Sequence, residues 1–215
     1  MDARKGYLAE HFSTAAQQRE ATYLGMWLFL ATEVMMFGAL FLVIGYYRLQ
    51  YPEPVAEAVR HLHFVLAGFN SVLLLTGSLC MSLVVRAARQ REHRHVQIWL
   101  AVAALLGLGF LAVKGFEYAW EYREGLLPGS PNPSPLEDPA SRLYMVIYLY
   151  STALHALHVA IAVVLALGMA VRIHLGHMKL PERALTLEMG GLYWHLVDVI
   201  WILLYPTLYL LGRPA

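Results

Sequence analysis

Five stretches of this sequence are apolar for longer than the core of a soluble protein requires. Residues 23–47, 64–85, 96–120, 143–171 and 188–211 each reach the length of about 20 residues that a helix needs to cross hydrocarbon. Together they take up more than half of the 215 residues. In lipid every backbone polar group has to be satisfied inside the protein, which a helix achieves and an open sheet edge does not. The expected fold is therefore all-α: a polytopic membrane protein whose five transmembrane helices form one bundle over residues 23–211. A polar segment, 1–22, precedes it, and a proline-rich loop spans 122–142. Composition agrees, with 59% hydrophobic and 14% charged residues against about 45–50% apolar and about 25% charged in soluble domains.

Turn signals separate the spans. Residues 51–54 read Tyr-Pro-Glu-Pro, residues 180–182 read Leu-Pro-Glu, and four prolines fall within 127–135, a density that excludes a helix there. No early apolar core marks the first 22 residues as a signal peptide, and the mixture of Asp2, Glu10 and Glu20 with Arg4, Lys5 and Arg19 is unlike an organellar transit peptide. Residue 1 is accordingly expected in the mature protein. A net charge of +1 leaves no basic footprint for nucleic acid. One cysteine, Cys80, permits neither an intrachain disulfide nor a cysteine-built metal site.

Lys and Arg in the short connections set the orientation. Arg4, Lys5, Arg19, Arg86, Arg89, Arg91, Arg94, Arg172, Lys179 and Arg183 fall on the N-terminal side; Arg48, Arg60, Arg123, Arg142 and Arg213 fall on the other. Ten against five places the N-terminus in the cytoplasm and the C-terminus outside.

Ionisable groups inside the spans are costly and mark candidate sites. Glu33 stands ten residues into the first span among Phe29, Leu30 and Phe37, a lone acid on an apolar face. Two readings are open for it: a proton-handling or lipid-contacting acid, or a protonated acid bonded to a backbone carbonyl for packing. The third span carries Lys114, Glu117 and Glu121 on one helical stripe, where Lys114 and Glu117 can pair. The position near the span's outer end also lets the lysine reach the interface; a structural ion pair is the expected outcome. The fourth span aligns Ser151, His155 and His158, and the fifth aligns Glu188, Gly191, His195 and Asp198. Such stripes can hold a metal or fix helix register by hydrogen bonds, and the second role is expected. His155 and His158 are only about 4.5 Å apart along the axis, too close to carry two haems. In the second span Asn70, Ser71, Gly77 and Ser78 suit close helix packing.

In combination these in-span motifs resemble subunit III of the haem–copper terminal oxidases. The run from Gly25 to Phe37 is similar to that family's glutamate-bearing helix, with the acid at Glu33. Phe69-Asn70-Ser71-Val72-Leu73-Leu74-Leu75-Thr76-Gly77 resembles its next helix, and Lys114-Gly115-Phe116-Glu117-Tyr118 the one after. His155-Ala156-Leu157-His158-Val159 is similar to a family His-Gly-Leu-His-Val motif, with Ala156 in place of glycine. Glu188 followed by Tyr193-Trp194-His195-Leu196-Val197-Asp198-Val199-Ile200-Trp201 matches the closing signature. The resemblance covers residues 22–211 and corresponds to a short, five-helix form that begins at the third helix of seven-helix relatives.

The resemblance implies a multi-pass subunit of a bacterial inner-membrane respiratory complex that reduces O2 to water with proton translocation. The chain itself would bind no cofactor and hold no redox centre. Haem and copper would sit in the catalytic subunit I, its main partner beside other oxidase subunits and membrane lipids, with phospholipid the one ligand allowed. Its role would be to support assembly, proton uptake and stability of subunit I. Glu33 would be the buried acid with a proton or lipid role. Asn70, Lys114, Glu117, His155, His158, Glu188, His195 and Asp198 would form an intramembrane polar network. The same resemblance admits subunit III of a quinol oxidase or an accessory subunit of a nitric oxide reductase. The polar stripes taken alone also admit a free-standing proton-coupled transporter, although Pro206 is the only proline within a span and broken helices are absent from the pattern.

Overall fold

The computed structural model describes residues 12–178 and 184–211, and its ordered elements are helical. Expectations for residues 1–11 (Arg4 and Lys5 among them), for the turn at 180–182 flanked by Lys179 and Arg183, and for Arg213 lie outside the described residues. Among the described residues six α-helices follow in order: α1 Ala15–Gln50, α2 Pro52–His61, α3 Phe64–Arg89, α4 His93–Arg123, α5 Pro139–His174 and α6 Ala184–Tyr205, the last continued by a π-turn over Pro206–Leu210. Five are long and apolar enough to span a membrane: α1, α3, α4, α5, and α6 together with its continuation to Leu210. All but α3 start before the apolar window that announces them, and α1, α3, α4 and α5 end after it.

Local chemistry sets the helix ends. Thr14 caps α1 by accepting from the Gln17 amide, and Asp138 caps α5 by accepting from the Ala140 amide at 2.7 Å, with Pro139 in the first helical position. Pro52 does the same for α2, so the Tyr-Pro-Glu-Pro run is both a turn and the start of a short surface helix. That helix is a departure from the sequence reading, which has only a turn there. Its ten residues are too few to announce themselves by apolar length. The 124–138 connection is non-helical, as its prolines require, and pivots at Gly125, where φ is +78° and a Cβ would meet the Pro133 carbonyl oxygen at 2.5 Å. Pro206 has no amide hydrogen to give the carbonyl one turn back, and the helix widens into its π-turn at that residue.

The spans alternate in direction. At one end the start of α1, the end of α3 and the start of α6 are tied together: Tyr23 donates to Glu188, and Arg89 reaches the same carboxylate at 2.9 Å. At the other end Arg48, near the close of α1, donates to the Thr207 and Leu211 carbonyls and lies 3.1 Å from the Tyr144 hydroxyl of α5. Between these ends α3 packs along α4 and α6, and α4 and α6 each pack on α5. Small residues allow the close approach. At Gly107 of α4 an added Cβ would fall 2.5 Å from a Val163 methyl and 3.1 Å from the Trp194 ring.

α1 is the exception. It buries only Leu30, Phe37 and Ile44, one residue every two turns, against α5 and α6. Leu24, Leu28, Met35 and Leu42 point outward to lipid or to a neighbour.

Gly107→Ala is expected to destabilise the protein by about 1–3 kcal/mol through overpacking. Gly168→Ala, with nothing within 4 Å of the new methyl, is expected to leave stability unchanged. Thermal unfolding of the detergent-solubilised protein checks both; equal midpoints for the two variants would contradict the packing described here.

Candidate functional site

The buried polar side chains gather in three tiers along the bundle. The tier at the Arg89 end is built by α1, α3 and α6. Glu188, at the start of α6, takes Arg89 Nε at 3.1 Å and Nη2 at 2.9 Å on one oxygen and the Tyr23 hydroxyl on the other. Arg89 remains 64% exposed, so this ion pair sits at the membrane surface. Two helical turns further in, His195 Nδ1 lies 2.6 Å from the Ser78 hydroxyl and Nε2 lies 3.4 Å from that of Ser82. Tyr23, Arg89, Glu188 and His195 line a cavity of about 320 Å³ that is open to the outside.

The middle tier joins α1 to α5. Glu33 is not the lone acid of the sequence reading: its Oε2 is 2.9 Å from His158 Nε2. The other imidazole nitrogen, Nδ1, lies 2.7 Å from the Leu154 carbonyl oxygen. A carbonyl only accepts, so Nδ1 carries a hydrogen. The contact between Nε2 and Glu33 therefore needs one further proton, held by the carboxyl or by the ring. The pair has zero net charge either way, which is why burial is affordable. Phe37 presents an edge to the His158 ring at 5.3 Å. Glu33 and His158 sit in the wall of a second cavity, of about 450 Å³, whose other walls include Phe29, Leu165 and Tyr193.

Deeper at this level His155 is fully buried and stacked on Trp201, with ring centroids 5.1 Å apart, while Phe110 packs its edge at 5.5 Å. His155 and His158 thus have different partners. The cross-helix hydrogen bonds expected of Asn70 and His155 are not made among the described residues: both polar atoms of Asn70 and both ring nitrogens of His155 lack a protein partner, as does Asp198 Oδ1. Ser151, placed on the His155 stripe by its spacing, bonds back to its own helix at Ile147.

The third tier is the most closed. Lys114 Nζ lies 3.0 Å from Glu117 Oε2, 3.0 Å from the Tyr148 hydroxyl and 2.6 Å from that of Tyr209. Tyr209 donates to Glu117 at 2.9 Å and Tyr148 to Glu121 at 2.8 Å. Lys114 is 1% exposed, and Glu117 and Glu121 are 0% exposed. The lysine does not run out to the interface: the ion pair expected from the i, i+3 spacing forms, in the interior, with two tyrosines closing it.

A model of cytochrome c oxidase subunit III matches residues 3–213. The chain belongs to that family. A cytochrome c oxidase subunit 3 from Synechocystis sp. is 31% identical over 87% of this chain and 74% of its own length. A heme-copper oxidase subunit I+III from Aeropyrum pernix is 26% identical over 86% of this chain, which corresponds to 22% of that relative. A probable quinol oxidase subunit 3 from Staphylococcus aureus is 25% identical over 90% of each chain.

Within this subunit III fold the residues singled out from sequence occupy separate tiers rather than one network. Glu33 and His158 meet, as do Lys114 and Glu117. Glu188 and His195 share a cavity, while Asn70, His155 and Asp198 keep polar atoms without a protein partner among the described residues. Several partners have no signal from spacing of charges: Tyr23, Arg48, Arg89, Ser78, Trp201 and Tyr209 act from other helices. Tyr148 carries a faint one, standing seven residues before His155 on the same stripe of α5.

Lys114→Met leaves two carboxyls facing each other without a cation and is expected to cost about 3–5 kcal/mol of stability. Replacing the whole cluster with apolar residues of similar size (Lys114→Met, Glu117→Leu, Glu121→Leu) is expected to recover most of that loss. Thermal unfolding compares the two; a triple variant no more stable than the single one would contradict the assignment of Lys114 as the counter-charge.

Proposed function

We propose that this chain works as subunit III of a respiratory haem–copper oxidase in a bacterial cytoplasmic membrane, seated against subunit I, where haem and copper reside. The observation that carries the reading is the Aeropyrum pernix relative named subunit I+III, in which the matching region is about a fifth of one continuous chain. Fusion into one chain fits only subunits that work side by side. The chain holds no redox centre of its own and supports the assembly, proton uptake and durability of its partner. In favour of this, His155 stacks on Trp201 and His158 is engaged by Glu33 and the Leu154 carbonyl, a division that leaves the two imidazoles serving different contacts. Cytochrome c is the favoured electron donor, because the relative named for it is more similar than the one named for quinol. The quinol oxidase is the second reading, and that relative is the observation favouring it. Arg86, Arg89, Arg91, Arg94 and Arg172 crowd one end of the bundle, which favours assigning that end to the cytoplasm.

Glu33 and His158 share one proton in the wall of a cavity whose remaining lining is apolar but for Thr186 and Tyr193. That combination suits a proton-holding acid beside a lipid chain, and phospholipid is the ligand this reading assigns to the subunit. Affinity capture of the tagged chain from its native membrane, with partner identification and an optical spectrum, tests the assignment. Co-purification of a haem–copper subunit I is expected, together with loss of all haem absorption when the chain is separated from it. A haem spectrum that stays with the isolated chain, or proton-coupled transport by the chain alone in liposomes, would overturn the reading.

In that complex Glu33→Gln is expected to assemble normally, because an amide still donates to the free nitrogen of His158. Loss of the mobile proton is expected to shorten the time the oxidase stays active during turnover, or to reduce the protons translocated per electron. A variant unchanged in both would show that the Glu33 proton plays no part in turnover.

A further inference from the structure

Asp198 follows Glu188 by ten residues on α6, which sets it about 15 Å along the axis from the surface ion pair. That is half of a hydrocarbon core about 30 Å thick. Asp198 is 4% exposed, and its Oδ1 has no partner among the described residues. A carboxyl at this depth is expensive to ionise unless a cation or several donors face it. α3 offers it the Ser78 hydroxyl, a neutral hydrogen-bond partner. On α4, Lys114 is committed to Glu117, Tyr148 and Tyr209. On α5, His155 is stacked on Trp201, and His158 is taken by Glu33 of α1. On α6 itself the nearest ionisable group is His195, one helical turn back toward Glu188. One hydroxyl does not balance a charge, so taking up a proton is how this acid is accommodated.

The hydroxyl that touches Asp198 also touches the way out. Ser78 Oγ lies 2.6 Å from His195 Nδ1. The other ring nitrogen, Nε2, lies 3.4 Å from the hydroxyl of Ser82, an exposed residue. His195 and Ser82 both line the open cavity of about 320 Å³ whose walls also carry Arg89 and Glu188. A hydroxyl donates and accepts at once, and a neutral imidazole carries its hydrogen on either nitrogen. The three groups can therefore bond in either of two directions. In one, His195 Nδ1–H donates to Ser78 and Ser78 donates to the Asp198 carboxylate. In the other, the Asp198 acid donates to Ser78, Ser78 donates to Nδ1, and the imidazole hydrogen stands on Nε2, on the side of Ser82.

We propose that Asp198 is a proton-binding site at mid-membrane, loaded from the Arg89–Glu188 cavity through His195 and Ser78. Loading converts the first arrangement into the second. Cavity water gives a proton to His195 Nε2, Nδ1 passes its hydrogen to Ser78 Oγ, and Ser78 passes its own hydrogen to Asp198. Every bond broken is an O–H or N–H bond and is matched by one formed, one positive charge is taken in, and nothing is oxidised or reduced. Release is the same sequence reversed. His195 is the gate of this route, because its two nitrogens face different partners, and Ser78 is the link without which the imidazole and the acid exchange nothing. The route uses neither Glu33 nor the identity of the electron donor, so it can fail while the assignment as an oxidase subunit stands.

Time-resolved infrared spectroscopy after transfer of the intact membrane complex from H2O to D2O tests it. A carbonyl-stretch band of a protonated carboxylic acid is expected to shift on deuteration, and Asp198→Asn, whose amide still bonds Ser78, should abolish that band alone. In Ser78→Ala, and separately in His195→Phe, the Asp198 band should persist but shift at least tenfold more slowly, with the other carboxyl bands exchanging as before. Ser78→Thr keeps the hydroxyl and should exchange at the wild-type rate. Absence of an Asp198-dependent band, or wild-type exchange in either Ser78→Ala or His195→Phe, overturns the proposal. So does a threonine variant as slow as the alanine one, which would mark a packing effect in place of a relay. Each of the two slowing variants decides alone if the other fails to assemble.

Discussion

Lys114 has no route to water, and the end of the bundle away from Arg89 is organised around that fact. A buried ammonium is tolerable only with a carboxylate and enough acceptors to use its hydrogens, and Glu117, Tyr148 and Tyr209 supply them from α4, α5 and the π-turn after Pro206. Tyr209 reaches the cluster because the helix widens at that proline. Arg48 of α1 takes the carbonyls of Thr207 and Leu211 in the same turn. A defect in backbone hydrogen bonding is thereby used twice: to aim a tyrosine inward and to anchor the outlying helix.

The anchoring of α1 follows a different logic from that of the other spans. In lipid there is no hydrophobic gain from pressing one apolar helix on another, so packing and polar contacts decide which helices stay together. α3, α4, α5 and α6 meet through small residues and broad buried faces. α1 buries a single seam and is held by polar contacts at three heights: Tyr23 to Glu188, Glu33 to His158, and Arg48 to the π-turn. Cross-helix hydrogen bonds of this kind in membranes average about 0.6 kcal/mol and reach about 1.7 kcal/mol. Three of them hold the helix in place, and two of the three border the cavities beside it.

The spans and their order were legible because hydrocarbon thickness imposes a length that composition alone reveals. The polar stripes were legible because helix geometry puts residues three, four and seven apart on one face, and Lys114 with Glu117 needs nothing more. Contacts between helices carry no such trace. Glu33 looked solitary because His158 is 125 positions away, and Tyr23, Arg89 and Glu188 come together only once three helix ends are brought to one level. The short helix α2 was hidden for the opposite reason: its prolines are equally good signals for a turn and for a helix start.

The same geometry bears on how α1 of this subunit III fold is seated. Glu33 bonds His158 beside a membrane-facing cavity, and Glu188 with Arg89 holds a charged pair at the surface of a second. These two cavities lie on either side of α1, whose attachment depends on the groups that border them. Shifting the shared proton between Glu33 and His158 would alter the strength of the contact that fixes α1 at mid-membrane, because a neutral pair and an ion pair bind differently in low dielectric. Protonation and the seating of α1 are therefore linked by necessity: whatever changes one changes the other, and a neighbouring subunit that packs on α1 is exposed to both.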